Sequence, residues 1–216
     1  MRPIVCMISD RRRFPEAGPG QAADALVAAV AAAARAGIDL VQVRERDLDG
    51  GALVRLVARC LDASRHTHTR VLVNDRVDVA MAAGAHGVHL RGDSVPAPRV
   101  RALVPPGFLI GRSIHSREEA ERVSAEGGVD YLIFGAVFST PSKPGVAAAG
   151  IQALADVVDA SPLPVLAVGG ITLETARGLG RTGAAGLAAI GVFTDTAAGE
   201  LPRTIAELTR TFQDTD

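Results

Sequence analysis

The sequence predicts a (β/α)8 barrel, the TIM barrel class of α/β fold, as a single domain over residues 1–216. Short apolar runs alternate with amphipathic or alanine-rich segments about eight times, in a chain of one-domain length. The apolar runs end in polar or glycine residues, as barrel strands do where they open onto an active face. A weak recurrence (AGIDLVQV, AGAHGVHL, GGVDYLIF, TGAAGLAA) enters a strand through glycine each time. A doubly wound open sheet is the alternative, but no GxGxxG follows the first strand.

In order, Pro3 to Ser9 is apolar and β-branched enough for a buried first strand, with Asp10 to Arg13 at its end. Pro15 to Gly20 reads as a loop, and Gln21 to Ala36 as an alanine-rich helix stopped by Gly37. Ile38 to Val43 is the second strand, finishing in Gln42, Arg44, Glu45, Arg46 and Asp47. A helix from Gly51 to Arg65 puts Leu53, Leu56, Val57 and Cys60 on one face. Val71 to Val73 is a short strand ending in Asn74 and Asp75, followed by a helix over Val77 to Ala83. Gly87 to Leu90 is a strand, Arg91 to Ser94 a polar loop, and Val100 to Val104 a helical turn. Leu109 and Ile110 open a strand ending in Gly111, Arg112 and Ser113. Ser116 caps the next helix, whose Glu118 and Glu119 suit its first turn. Tyr131 to Phe134 is a buried strand, and the polar stretch Ser139 to Gly145 after it has the character of an anion-binding loop. Helices over Ile151 to Asp159, Leu173 to Leu179 and Thr204 to Phe212, with strands over Pro164 to Val168 and Gly186 to Ile190, complete the pattern.

Composition narrows the function. A net charge of -1 and 3% aromatic residues without Trp exclude a general nucleic-acid or membrane-surface role. Cys6 and Cys60 have no paired-ligand spacing and read as buried, inert thiols of a reducing cytoplasm. The N-terminus has no signal-peptide pattern, and Asp24 and Arg35 interrupt the Ala/Val-rich run, so a cytoplasmic protein is expected.

The strand-end rule gathers Gln42, Arg44, Arg46, Asn74, Asp75, Asp93, Ser113, His115, Thr140, Ser142 and Lys143 on one face. The bland alternatives are a solvated ion-pair cluster of Arg44 and Arg46 with Glu45 and Asp47, a capping role for Asn74 and Asp75, and an ordinary loop histidine at 115. Gly169, Gly170 and the Ile190–Gly191 turn follow the last two strands, where barrels hold phosphate on backbone N–H groups. Asp75 and Asp93 would offer hard oxygen ligands to Mg2+, and Arg44, Arg46 and Lys143 would neutralise phosphate charge. Two anionic subsites suggest two phosphorylated groups; one phosphorylated ligand is the alternative. The expected partners are therefore small phosphorylated substrates.

Several motifs together, Gln42-Val-Arg-Glu-Arg46, Val73-Asn-Asp-Arg-Val-Asp-Val-Ala80, Gly87-Val-His-Leu90, Gly111-Arg-Ser-Ile-His115, Asp130-Tyr-Leu-Ile-Phe-Gly135 with Thr140-Pro-Ser-Lys-Pro-Gly145, and Ala167-Val-Gly-Gly-Ile171, resemble the thiamin-phosphate synthase/TenI family in order and spacing. The resemblance runs from about Ile4 to Phe193. It implies a barrel that binds thiazole phosphate. In the synthase branch, hydroxymethylpyrimidine pyrophosphate ionises with Mg2+ help and the thiazole nitrogen captures the resulting cation. Carried over by motif, Arg44 and Asn74 contact the pyrophosphate and Asp75 is a metal ligand. Ser113 and Lys143 stand near the departing group, and Arg44, Ser113 and Lys143 form the catalytic set. Thr140 and Ser142 hold thiazole phosphate with Gly169, Gly170, Ile190 and Gly191, while Gln42, Arg46 and His115 complete the substrate-binding set. Barrels of the family it resembles often associate, so a homo-oligomer is one of the states open to the chain.

The sequence departs from the synthase pattern. Arg46 replaces a lysine, Arg91-Gly92-Asp93-Ser94 replaces Gly-Gln-x-Asp, so that the second metal carboxylate is missing or shifted onto Asp93, and Ser139 replaces a proline. Arg-Glu-Arg and Gly-Arg-Ser-x-His-Ser lean towards the TenI tautomerases, which need no metal, yet the catalytic histidine of that branch is Ala136 here. Three readings stay open: synthase, tautomerase using His115, and non-catalytic thiazole phosphate binder.

Overall fold

The structure, a computed structural model, describes residues 2–14, 21–140, 145 and 147–214. Eight parallel strands close on themselves in sequence order: β1 (Ile4–Ile8), β2 (Leu40–Val43), β3 (Arg70–Asn74), β4 (Gly87–Leu90), β5 (Leu109–Ile114), β6 (Tyr131–Gly135), β7 (Val165–Val168) and β8 (Gly186–Ala189), with β8 pairing back onto β1. A closed parallel sheet puts all strand carboxyl ends on one rim, and the predicted (β/α)8 barrel is the fold observed.

Around it lie helices α1 (Gln21–Arg35), α2 (Gly50–Ala63), α3 (Val77–Ala83), α4 (Ala97–Arg101), α5 (Arg117–Glu126), α6 (Gly150–Asp159), α7 (Gly191–Thr194) and α8 (Leu201–Gln213), with a 3-10 turn over Arg11–Arg13. The α2 start is set by the Asp49 carboxylate, which accepts from Ala52 N at 2.8 Å, and the α5 start by Ser116 accepting from Glu119 N. Two expectations are corrected. The turn expected at Val100–Val104 lies at Ala97–Arg101, where Pro98 suits a first helical turn. The helix expected over Leu173–Leu179 does not form; hydrogen-bonded turns lead to a 3-10 helix at Leu179–Thr182. The Thr175 hydroxyl bonds the Gly170 carbonyl and Gly178 takes a left-handed φ of 78°, both of which compete with helix propagation.

Alternation along the strands divides two apolar layers. Val5, Met7, Val41, Val71, Val88, Ile110, Leu132, Phe134 and Leu187 face the helices. Cys6, Ile8, Leu40, Leu72, Tyr131, Ile133, Leu166 and Ala188 fill the barrel. Burial pushes the Cys6 and Cys60 thiols up to about 12, so both are protonated and inert, as expected. No described helix is long and apolar enough to cross a membrane.

Tyr131 fits inside the barrel because its neighbour across the β5–β6 ladder is Gly111: a Cβ there would overlap the phenol ring. Gly111→Ala is expected to destabilise by about 1–3 kcal/mol through overpacking, lowering the urea midpoint at unchanged m-value. A midpoint equal to wild type would show that the ring has room to move.

Candidate active site

At the carboxyl rim the strand alternation produces an asymmetric cleft of about 980 Å3. On the β2–β5 side its floor is polar: Gln42, Asn74, His89 and Ser113 point inward from successive strands. On the β6–β1 side the matching positions are apolar: Ile133, Val168, Ile190 and Ile8. One half thus offers directed hydrogen bonds and the other a dry wall.

The polar half is tightly coupled. Gln42 Nε2 donates to Asn74 Oδ1 at 2.9 Å, while the buried Gln42 Oε1 has no partner among the described residues. A buried acceptor without a partner costs about 1–3 kcal/mol, which a donor on a bound ligand would recover. His89 bridges the Tyr131 hydroxyl through Nδ1 at 3.2 Å and the Ser113 hydroxyl through Nε2 at 2.9 Å. Burial, with the nearby Arg112 charge adding to it, pushes the imidazole down to about 3, so His89 is neutral at physiological pH. Ser113 is thereby tied by an uncharged partner. The sequence reading assigns His89 no role; its signal was the inward register position two residues after Gly87.

Glu45 is the second residue that reading missed. It is 3% exposed and does not pair with Arg44 or Arg46. Instead the Ser9 hydroxyl donates to it at 2.5 Å, and Arg11 binds it through the main-chain N–H at 3.1 Å and Nη1 at 2.9 Å. Arg11 also forks onto Asp47 at 2.7 and 2.6 Å, and Ser9 Oγ accepts from Arg44 N–H at 2.8 Å. The expected cluster of Arg44 and Arg46 with these two carboxylates is therefore not formed, because Arg11 from the end of β1 takes both. Among the described residues neither the Arg44 nor the Arg46 side chain has an ionic partner. Burial first, then repulsion from Arg46, lowers the Arg44 pKa from its ordinary value: this charge is in want of an anion.

Opposite them, Gly169, Gly170, Ile190 and Gly191 line the cleft on the β7 and β8 turns. Gly170 has φ 64°, and a Cβ on it would lie 2.7 Å from the Phe138 Cβ, so the β7 turn lies against the chain leading to Thr140. Thr140 and His115 also line the cleft, and His115 Nδ1 bonds the Gly135 carbonyl at 2.6 Å. Ser142 and Lys143 lie outside the described residues. Asp93 lines the cleft; Asp75 stands at its margin, with φ 64°, accepting from the Ser94 hydroxyl and 3.5 Å from Arg91. Asp75 does not cap α3, whose N-cap is Arg76 without a side-chain bond.

The profile of the thiamine monophosphate synthase (TMP-TENI) family matches residues 14–193. The chain belongs to that family. Its relatives include proteins named thiamine-phosphate synthase from Roseiflexus castenholzii, 38% identical over 190 residues (88% of this chain, 80% of that one), and from Anaeromyxobacter dehalogenans, 42% over 165 residues (76% and 73%). A solved thiamine phosphate pyrophosphorylase from Pyrococcus furiosus superposes with TM-score 0.81 at 29% identity, covering 97% of this chain and 95% of that one. In this family member the polar half of the cleft thus carries a neutral, buried His89 and, after β2, two arginines without an ionic partner among the described residues.

Because His89 has a folded pKa near 3 against about 6.5 unfolded, the unfolded chain binds the extra proton between those values. Stability then falls as pH drops through that window, by up to about 1.4 kcal/mol per pH unit from this group. Denaturant unfolding of wild type and His89→Gln from pH 7 to 4 should show a wild-type slope steeper by that amount; parallel curves would refute the assignment.

Proposed function

We propose that this chain is a thiamin-phosphate synthase, joining hydroxymethylpyrimidine pyrophosphate to thiazole phosphate with release of pyrophosphate. The family supports this reading. The observation that carries it is the meeting, in one cleft, of two arginines without ionic partners among the described residues and a glycine-lined turn pair, one place for each phosphorylated group.

In the reaction the carbon–oxygen bond to pyrophosphate breaks, its electron pair leaving with the anion, and the thiazole nitrogen lone pair closes the new carbon–nitrogen bond. The departing group gains charge, so Arg44 and Arg46 bind it more strongly as it leaves than before. Asn74 and Ser113, with Lys143 from the loop after β6, add hydrogen bonds to the same group. The pyrimidine lies over the polar floor, where Gln42 Oε1 accepts from it. Thr140 and Ser142 with the Gly169–Gly170 and Ile190–Gly191 turns hold thiazole phosphate, and the apolar wall of Ile8, Ile133 and Val168 lines up the nucleophile without water. His115 closes the rim beside them.

A divalent ion, Mg2+ in this reading, fits the donor set. Asp75 and Asp93 already converge on one cationic group, the Arg91 guanidinium, at 3.5 and 2.5 Å. Two carboxylates, completed by phosphate oxygens and water, suit Mg2+. When bound it supplies positive charge to the leaving pyrophosphate.

The tautomerase alternative is disfavoured by Ala136, whose methyl cannot move a proton at the position where that branch carries its histidine. Incubation with both phosphorylated precursors and Mg2+ is expected to give thiamin phosphate and pyrophosphate in equal amounts, and Arg44→Ala to lower kcat by about a hundredfold or more. Absence of product at high enzyme concentration, or aromatisation of the thiazole tautomer instead, would overturn the reading.

A further inference from the structure

Arg91 opens the loop that departs from the family pattern. Its side chain, though part-exposed, lies between the two carboxylates, Nη1 3.5 Å from Asp75 and Nη2 2.5 Å from Asp93. A guanidinium and a divalent ion cannot occupy the same place between two carboxylates. The site therefore has a resident cation of its own.

The loop beneath is held independently of that side chain. Arg112, buried under it, donates to the carbonyls of Val95 and Gly92 at 2.8 Å and of Ser94 at 3.2 Å. The main-chain N–H of Arg91 bonds Ser94 Oγ at 2.8 Å, and that hydroxyl in turn donates to Asp75. Any residue but proline at position 91 keeps that main-chain bond. The Asp75 carboxylate and the main chain that carries Asp93 thus stay in place whether or not the guanidinium lies between the two acids. Arg91 itself is exposed enough to swing, and it lines the same cleft as Arg44 and Asn74.

We propose that Arg91 is an exchangeable counter-cation. Without ligand it neutralises Asp75 and Asp93 and weakens their hold on a free divalent ion. When a diphosphate enters, Arg91 transfers to its oxygens and surrenders the two carboxylates to the ion that accompanies it. Metal and diphosphate therefore bind cooperatively, the ion arriving with the anion rather than ahead of it. This inference rests on the reading of Asp75 and Asp93 as the metal carboxylates.

The size of the effect follows from exposure. Each pair is partly or largely solvated, with Asp75 29% and Asp93 70% exposed at the side chain, and such pairs are individually weak. Together they are expected to change metal affinity by about three- to tenfold.

The test is Mn2+ binding to the full chain by calorimetry and by the loss of free-ion electron paramagnetic resonance signal, with and without inorganic pyrophosphate. Wild type is compared with Arg91→Ala, Arg91→Gln and the charge-retaining Arg91→Lys. Without pyrophosphate, the Ala and Gln variants should bind Mn2+ about three- to tenfold more tightly than wild type, with Lys close to wild type. With pyrophosphate present that advantage should disappear or reverse. Arg91→Gln keeps part of the stem packing, so a folding defect in the alanine variant does not decide the outcome. Equal or weaker Mn2+ binding by both neutral variants, or the same advantage with and without pyrophosphate, overturns the exchange. Asp75→Asn separates the two levels: if it abolishes wild-type Mn2+ binding while the Arg91 variants do not tighten, only the exchange fails. If Asp75→Asn changes nothing in any background, the metal-site reading fails with it.

Discussion

The charge that the cleft presents is set by a carboxylate that does not face it. Glu45 sits between Arg44 and Arg46 in the chain, and a carboxylate flanked by two arginines would ordinarily neutralise one of them. It is turned away and buried, held by Ser9 and Arg11 from the first strand. Removing a single partner from a buried ionic pair leaves an uncompensated charge, commonly a cost of about 3–5 kcal/mol. Arg11 is therefore not free to leave Glu45, and Glu45 is not free to bind the arginines that line the cleft. The same Ser9 hydroxyl that donates to Glu45 accepts the Arg44 N–H, so one network fixes both the position of the arginine backbone and the availability of its charge.

The opposite side of the polar floor is built on neutrality. His89 lies within the barrel, where a charged imidazole would lose its hydration and meet Arg112 nearby, so burial and that repulsion hold it uncharged. A neutral imidazole has one donor and one acceptor, matched here by two hydroxyls, Tyr131 and Ser113. Gly111 provides the room for Tyr131, so a missing Cβ on β5 sets the orientation of a serine two residues further along the same strand.

The barrel was legible in the sequence because its strands are short, apolar and terminated by glycine or charge, and because most helices between them have a clear face. The seventh connection was not, since Leu173 to Leu179 has helical composition while Thr172, Thr175 and Gly178 direct its backbone into turns. The inward residues Gln42, Asn74 and Ser113 were legible as strand-end polar groups. His89 and Glu45 were not, for a common reason: each has its meaning from partners 24 to 42 positions away, Ser113 and Tyr131 for one, Ser9 and Arg11 for the other. A sequence places adjacent charges side by side, but only the closed register decides which of them pair.

That pairing logic bears on how a site can promote departure of a highly charged group. Positive charge that held the group as firmly before its bond breaks as during departure would be uniform binding, which contributes nothing to the chemical step. Here the cations differ in how they are held. Among the described residues Arg44 and Arg46 have no ionic partner, whereas Arg91 is paired with two carboxylates and, in the exchange proposed above, would give them up only to a stronger anion. Interactions that must be exchanged carry a fixed cost that a weakly charged ligand does not offset and a highly charged one does. A group whose charge grows as its bond breaks is the one that such an arrangement favours, and its loss restores the internal pairs that help to release it.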